Sequence, residues 1–265
     1  MKTAIVTGGA SGIGLALARE LRGHGVHVVV ADSDGEGAGR AAAELGCAGA
    51  ALDVTDADAV RDLVAKVRAG HGRLDFMFNN AGIAVGGAAE EFGLDHWNRV
   101  IDVNLRGVVH GVHAAYPVMI EQGFGRIVNT ASVAGVFPAP LMLPYTTAKH
   151  GVVGLSLALR AEAAAHGVKV HAVCPGFTDT PLYDRVNPGL PQTAVSANAR
   201  RSAELVAPFL YPAETLARDV MRGIARDRAL IVAPASGRTA WLLTRLSPAL
   251  AVRAASLGVR RLLRG

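Results

Sequence analysis

The chain has 265 residues and a mass of 27.4 kDa, a length that fits one domain. Apolar residues make up 51% and charged residues 18%, with a mean hydropathy of +0.30, which excludes disordered and collagen-like chains and supplies a large core. The formal charge of +5 belongs to one end: residues 236–265 hold six arginines and no acid, leaving 21 basic against 22 acidic side chains in residues 1–235, so a nucleic-acid-binding core is excluded.

Two cysteines, Cys47 and Cys174, are too few for a disulfide framework and too far apart for a metal knuckle. No metal site is expected. Apolar stretches are broken by charge or glycine before the ~18 residues a spanning helix needs. The strand-like run Thr3–Thr7 begins almost at the initiator Met, with no secretory leader expected. A soluble protein of a reducing, cytoplasmic compartment is the expectation.

Taken in chain order, Thr3–Thr7 is the first strand candidate. It runs into Thr7-Gly8-Gly9-Ala10-Ser11-Gly12-Ile13-Gly14, followed at once by a helical pattern with Ile13, Ala16, Leu17 and Leu21 apolar. Glycine is needed where the backbone turns with positive φ and where bare N–H groups must approach a pyrophosphate. Val26–Ala31 is the second strand, apolar on both faces and so buried on both sides. It ends at Asp32, 18 residues beyond Gly14. A carboxylate there accepts from a ribose diol and repels a 2′-phosphate, and Ser33, Asp34, Ala10 and Ser11 supply no compensating cation, so NAD is expected over NADP. The alternative is that Asp32 caps the helix starting near Gly35. After the third strand, Ala48–Leu52, the pair Asp53-Val54 either meets an adenine edge or caps a helix over 55–69; the two roles are compatible. Leu74–Phe78 is the fourth strand and leads into Asn79-Asn80-Ala81-Gly82, small residues beside amides that suit a backbone passing under a cofactor. A helix reading Trp97 to Asn104 follows, then the fifth strand, Arg126–Thr130, and Ser132. Tyr145 and Lys149, four apart, share a helix face, and Pro144 suits a first helical turn. Lys169–Cys174 and Leu230–Val232 complete the strands. This alternation, without internal repeats, predicts a doubly wound α/β fold with a parallel seven-stranded sheet over residues 1–235 and a basic helical extension over 236–265.

These motifs together resemble the short-chain dehydrogenase/reductase family in its short subtype near 250 residues. The likeness rests on Thr7-Gly-x-x-x-Gly12-Ile-Gly14, Asn79-Asn-Ala-Gly82, Asn104, Ser132, Tyr145-x-x-x-Lys149 and Pro175-Gly176. It covers about residues 2–233 and implies a Rossmann-fold oxidoreductase that moves a hydride between NAD(H) and an alcohol or ketone. The resemblance implies Tyr145 as general acid/base, Lys149 lowering its pKa and binding the nicotinamide ribose, Ser132 orienting the substrate oxygen, and Asn104 holding a relay water. A free tyrosine near ~10 is too basic to serve at neutrality unless shifted by ~2–3 units. For the cofactor it implies Gly8, Ser11, Gly12, Ile13, Gly14, Asp32, Asp53, Val54, Asn80, Ala81, Gly82, Tyr145, Lys149, Pro175, Gly176, Thr178 and Thr180, the last two facing the nicotinamide carboxamide. Assembly as a homodimer or homotetramer is likewise implied.

The loop Val133–Leu143 carries no charge, and Leu182–Tyr211 mixes apolar side chains with Asp184, Arg185, Arg200, Arg201 and Glu204. This mouth favours a small apolar alcohol or ketone. Three readings stand: an NAD-linked dehydrogenase of an apolar secondary alcohol, a ketone or 3-oxoacyl reductase, and a non-catalytic dinucleotide sensor, which would have no use for a positioned base. In the extension, Arg238, Arg245, Arg253 and Arg260 recur at a helical spacing interrupted by Pro248, which predicts two helices. They either meet an anionic membrane or acidic partner, or pack on a sister subunit.

Overall fold

The computed structural model describes residues 1–206 and 209–262; the side chains of Glu204, Arg260 and Arg261, and the whole of Arg264, lie outside the described residues. The strands are β1 (Thr3–Thr7), β2 (His27–Asp32), β3 (Ala48–Ala51), β4 (Phe76–Asn79), β5 (Gly125–Thr130), β6 (Val168–Pro175), β7 (Thr178–Asp179), β8 (Tyr211–Pro212) and β9 (Leu230–Ala233). The helices are α1 (Gly12–Gly23), α2 (Gly35–Leu45), α3 (Ala57–His71), α4 (Leu94–Ile101), α5 (Gly107–Gln122), α6 (Leu143–Ala163), α7 (Ala199–Val206), α8 (Ala213–Ala225), α9 (Ala235–Leu246) and α10 (Pro248–Leu262).

Seven strands form one parallel sheet in the order β3-β2-β1-β4-β5-β6-β9. The order reverses at β1, so β1 and β4 diverge at the carboxyl edge and open a crevice there. Register explains how the sheet buries both faces. Ile5 lies beside Val29 and Met77, and Met77 beside Ile127. This row packs against Val60 and Val64 of α3, Val112 and Met119 of α5, and Val152 of α6. The alternate row, including Val6, Val30, Phe78 and Val128, packs against Leu17 and Leu21 of α1 and Leu216, Val220 and Ile224 of α8. A strand that is apolar on both faces therefore has a helical layer for each.

All seven main strands stand where the sequence places them, within two residues at each end. Two helix caps differ, although α2 starts at Gly35 as expected. Asp34 rather than Asp32 caps α2, its carboxylate accepting from Gly37 N–H at 2.8 Å. Asp56 rather than Asp53 caps α3, accepting from Ala59 N–H at 3.0 Å. Asp53 instead closes a local turn on the N–H and hydroxyl of Thr55. The β7–β8 pair was not legible, since two residues carry no period. Pro248 does divide the extension, opening α10 immediately after Ser247.

Candidate active site

The site is assembled at the carboxyl ends of β1, β2, β4, β5 and β6. In the β1–α1 turn, Gly8 has φ +63°, and a Cβ there would lie 2.8 Å from Ala81 Cα. At Gly14 a Cβ would reach 2.0 Å from Gly8 O, so α1 approaches the turn more closely than any side chain permits. Ser11 is the N-cap of α1 but makes no side-chain cap bond. The first N–H groups of α1 are thus left for an anion, as a dinucleotide cradle requires.

The next loop is stitched to this turn. Thr7 Oγ1 accepts from Asn80 N–H (2.9 Å) and Ala81 N–H (3.1 Å), while Asn80 Nδ2 donates to Thr7 O (3.1 Å). Asn80 Oδ1 in turn accepts from the Thr130 hydroxyl at 3.1 Å, so β1, β4 and β5 are tied at one level. Asp32 stands beside the turn. Its Oδ2 accepts from Ala10 N–H and its Oδ1 from Asp34 N–H, both at 3.0 Å. Each oxygen retains capacity for a further donor. Asp32, Ser11, Asp34, Arg40, Pro181 and Arg185 line a cavity of about 300 Å³. Arg40 carries no sequence signal because it lies outside the motif, and Arg185, expected on the substrate side, lines the Asp32 cavity instead. Arg40 faces Asp34 at 3.7 Å and Glu36 at 3.6 Å. Val54 is buried against Gly107, and its carbonyl lies 2.8 Å from His110 Nδ1. Asp53 stays exposed.

Asn104 sits in a π-helical turn, Asp102–Arg106, inserted between α4 and α5. Its Nδ2 donates to Ile83 O and its Oδ1 accepts from Ile83 N–H, both at 2.8 Å. The side chain therefore ties the Gly82–Ile83 segment to the irregular turn. A Cβ on Gly82 would lie 3.1 Å from Asn104 Oδ1 and 3.6 Å from Lys149 Nζ, so this glycine lets the two groups close on one another.

Ser132, Tyr145 and Lys149 converge. Ser132 Oγ accepts from Ala134 N–H at 3.1 Å, and its hydroxyl also bears on the Tyr145 phenol. Tyr145 is half-buried and Lys149 only 3% exposed. Lys149 Nζ donates to Thr130 O at 2.8 Å and lies 5.6 Å from the centre of the Tyr145 ring. This differs from the expected picture of a cation that lowers the phenol's pKa. Burial pushes the Tyr145 phenol above the ordinary tyrosine value, opposed by the Ser132 hydroxyl. Burial also brings the Lys149 ammonium down to about 8. The buried Cys174 thiol, at the end of β6, is pushed up to about 12 for the same reason.

On the far side, Thr178 is buried and donates its hydroxyl to Gly176 O at 3.1 Å. The Thr180 hydroxyl has no protein partner among the described residues. Thr180 lies against the glycine turn, its Cβ 3.2 Å from where a Cβ on Gly12 would stand. Pro175 ends β6, and Gly176 N–H bonds Ala233 O at 2.8 Å. One guanidinium organises this loop. Arg200 grips Asp184 through two bonds of 2.6 and 2.7 Å, Asp179 at 3.0 Å and Thr180 O at 3.1 Å. Tyr183, in the same loop, has its phenol raised by burial and by the neighbouring Tyr145. Neither role could be read from the sequence, because Arg200 is remote from every motif. No group of three or more His, Cys, Asp or Glu side chains among the described residues could hold a metal ion.

The Lys149 shift carries a stability signature. An ammonium held at about 8 when folded and near ~10.4 when unfolded binds fewer protons in the native state between those values, so its contribution rises with pH across that window. Urea unfolding of wild type and Lys149→Met, compared at neutral and alkaline pH, should show wild type gaining on the variant by roughly 2 kcal/mol from pH ~7 to ~9.5. Parallel profiles would contradict a buried, depressed amine.

The family model described as short chain dehydrogenase matches residues 2–191. The chain is 36% identical over 202 residues to D-beta-hydroxybutyrate dehydrogenase of Rhizobium meliloti, covering 72% of this chain and 77% of that protein. It is 40% identical over 187 residues to cyclohexanol dehydrogenase of an Acinetobacter species, covering 68% and 74% respectively. Among solved structures, a short chain dehydrogenase/reductase from Burkholderia phymatum in complex with NAD superposes with a TM-score of 0.87 at 31% identity, over 94% of each chain. The glycine cradle, the crevice where the strand order reverses and these likenesses agree: the chain belongs to the short-chain dehydrogenase/reductase family and is an NAD(P)-dependent oxidoreductase of alcohols and ketones.

Proposed function

We propose that the protein interconverts an apolar secondary alcohol and its ketone using NAD(H), with Tyr145 as the proton-transferring group. The convergence of Ser132, Tyr145 and a buried Lys149 beside the glycine cradle carries this reading. When bound, the nicotinamide supplies or accepts the hydride. Lys149, fixed by Thr130 O, presents its remaining N–H donors to the nicotinamide ribose and the phenol edge. Ser132 holds the substrate oxygen, and Tyr145 exchanges the hydroxyl proton with it. Asn104 supports proton relay as a positioning residue: its side chain is occupied by Ile83, so the relay water falls to the backbone of the π turn. The Thr180 hydroxyl and the Thr178 backbone serve the carboxamide.

Asp32 supports NAD over NADP. Asp32, Asp34 and Glu44 place three carboxylates at this end of the crevice against Arg40 and Arg185, and Arg40 is engaged by Asp34 and by the exposed Glu36. An added 2′-phosphate would meet net negative charge. The substrate side supports an apolar reactant: Val133–Leu143 is uncharged, and Arg200, the cation organising the opposite loop, is committed to Asp179 and Asp184. A substrate carboxylate would have to compete with both. One observation favours the reductive direction as a second reading: a phenol raised by burial is an acid ready to protonate a developing alkoxide, as a ketone or 3-oxoacyl reductase requires. We place the protein in the cytoplasm as a homodimer or homotetramer, consistent with free Cys47 and Cys174.

Tyr145→Phe should abolish turnover while NAD binding, read by fluorescence titration, stays within about twofold of wild type. Near-native turnover in that variant would remove the tyrosine assignment. Asp32→Ser should lower the preference for NAD over NADP by about tenfold or more, equivalent to roughly 1.4 kcal/mol. An unchanged ratio of kcat/KM values would show that Asp32 does not select the cofactor.

A further inference from the structure

Helices α9 and α10 take no part in the reaction described above, yet α9 is firmly seated. A Cβ on Gly237 would lie 2.9 Å from Val133 Cγ2, Arg238 Nε donates to Val232 O at 3.2 Å, and Trp241 packs on the core. α10 turns back at Ser247–Pro248 and fully buries Ala251. What the two helices turn outward is unusual. Leu242 and Leu246, one turn apart on α9, are 50% and 85% exposed, and Leu250 and Leu257, two turns apart on α10, are 53% and 58% exposed. Arg238, Arg245 and Arg253 are exposed as well. At about 100° per residue, Arg238 and Arg245 both lie to one side of the line of Leu242 and Leu246, about 40° and about 60° from Leu242, and Arg253 lies to one side of Leu250 and Leu257, about 60° and about 40° from them.

Charge decides what fits this surface. Residues 236–265 hold six arginines and no acid. A second copy related by a two-fold axis would set arginine against arginine with no carboxylate between them, a repulsive pairing. An anionic lipid surface supplies both complements: phosphates for the guanidinium groups and an apolar layer for the leucines. The long arginine stems let the leucines sink while their charged ends stay among the headgroups. No helix among the described residues is long and apolar enough to cross a membrane, so the contact lies in the interface plane.

We propose that α9 and α10 dock the protein on an anionic lipid surface through Leu242, Leu246, Leu250 and Leu257, with Arg245 and Arg253 at headgroup level. Docking also has a consequence for the site. Val133, against which Gly237 packs, directly follows Ser132, so the uncharged substrate loop sits at the root of the docking surface. An apolar alcohol dissolved in the bilayer then has a short path to the crevice. That consequence rests on the apolar substrate proposed above; the docking itself does not.

Flotation of the full-length protein with vesicles tests this without any turnover. Vesicles of phosphatidylcholine containing about a quarter phosphatidylglycerol should bind at least about tenfold more protein at low salt than phosphatidylcholine alone, and molar salt should release it. Each arginine near such a surface is worth about 1 kcal/mol, so Arg245→Gln/Arg253→Gln should weaken binding about thirtyfold. Leu246→Ser/Leu250→Ser/Leu257→Ser should abolish flotation, and both variants should retain NAD binding. A wild-type protein that floats with neither vesicle overturns the proposal. So does a leucine variant that converts an oligomer into monomers while flotation is absent throughout, which would assign the face to a second copy. Retention by an acidic protein with no vesicle binding overturns it equally. Tyr145→Phe should float as wild type does, so a failure of the catalytic reading and a failure of docking are separable.

Discussion

A single ammonium group, buried under the carboxyl edge of the sheet and held by one backbone carbonyl, sets the terms for the whole site. Lys149 is 3% exposed and donates to Thr130 O at 2.8 Å. Burying that charge is costly unless it is well solvated by protein dipoles. The geometry that achieves it is demanding. β5 must end where its last carbonyl faces α6, and Gly135 must come close enough to the helix that a Cβ there would lie 2.5 Å from Lys149 O. Gly82 must leave room beside Nζ. The Tyr145 ring is then positioned by the same helix, four residues upstream. Burial acts on phenol and amine in opposite senses, raising the one and lowering the other, so that in each the neutral form is favoured.

The sheet provides rigidity for this arrangement through amides rather than through charge. Asn79 Nδ2 donates to Asn129 Oδ1 at 2.8 Å, Asn129 Nδ2 donates to Ser156 Oγ at 3.0 Å, and Ser156 donates onward to Val152 O. This chain runs from β4 through β5 into α6, the helix that carries Tyr145 and Lys149. Above it, Thr7, Asn80 and Thr130 join the glycine turn to the same strand ends. The buried network fixes one arrangement, because slipping any strand would orphan several donors at once, although Asn79 Oδ1 itself has no partner among the described residues. The glycine turn and α6 are thus tied together through β4 and β5, whereas Arg200 organises the loop that carries Asp179 and Asp184.

Much of this was legible in the residues themselves. Short β-branched runs, apolar on both faces, mark the strands, glycines mark the turn beside α1, and the four-residue spacing of Tyr145 and Lys149 marks their shared face. Local chemistry was less legible. Asp32, Asp34, Asp53 and Asp56 are alike as capping residues, and only the fold shows that Asp34 and Asp56 cap while Asp32 is left to face the crevice. Asn104 sits where a helical pattern continues unbroken, so the π turn around it carries no sequence signal. The role of Arg200 depends on contacts with Asp179 and Asp184, 21 and 16 residues away, and no periodicity encodes those. The direction of the Tyr145 shift reflects desolvation, which follows from packing rather than from the neighbouring lysine in the chain.

The account stands or falls on where the reacting oxygen lies. A crystal structure with NAD and an unreactive apolar ketone tests this most directly. The account predicts the ketone oxygen within hydrogen-bond distance, about 2.6–3.2 Å, of both Tyr145 Oη and Ser132 Oγ, with Lys149 Nζ on the nicotinamide ribose. A ketone oxygen held by other groups, with Tyr145 Oη out of contact with it and with the nicotinamide, would contradict it.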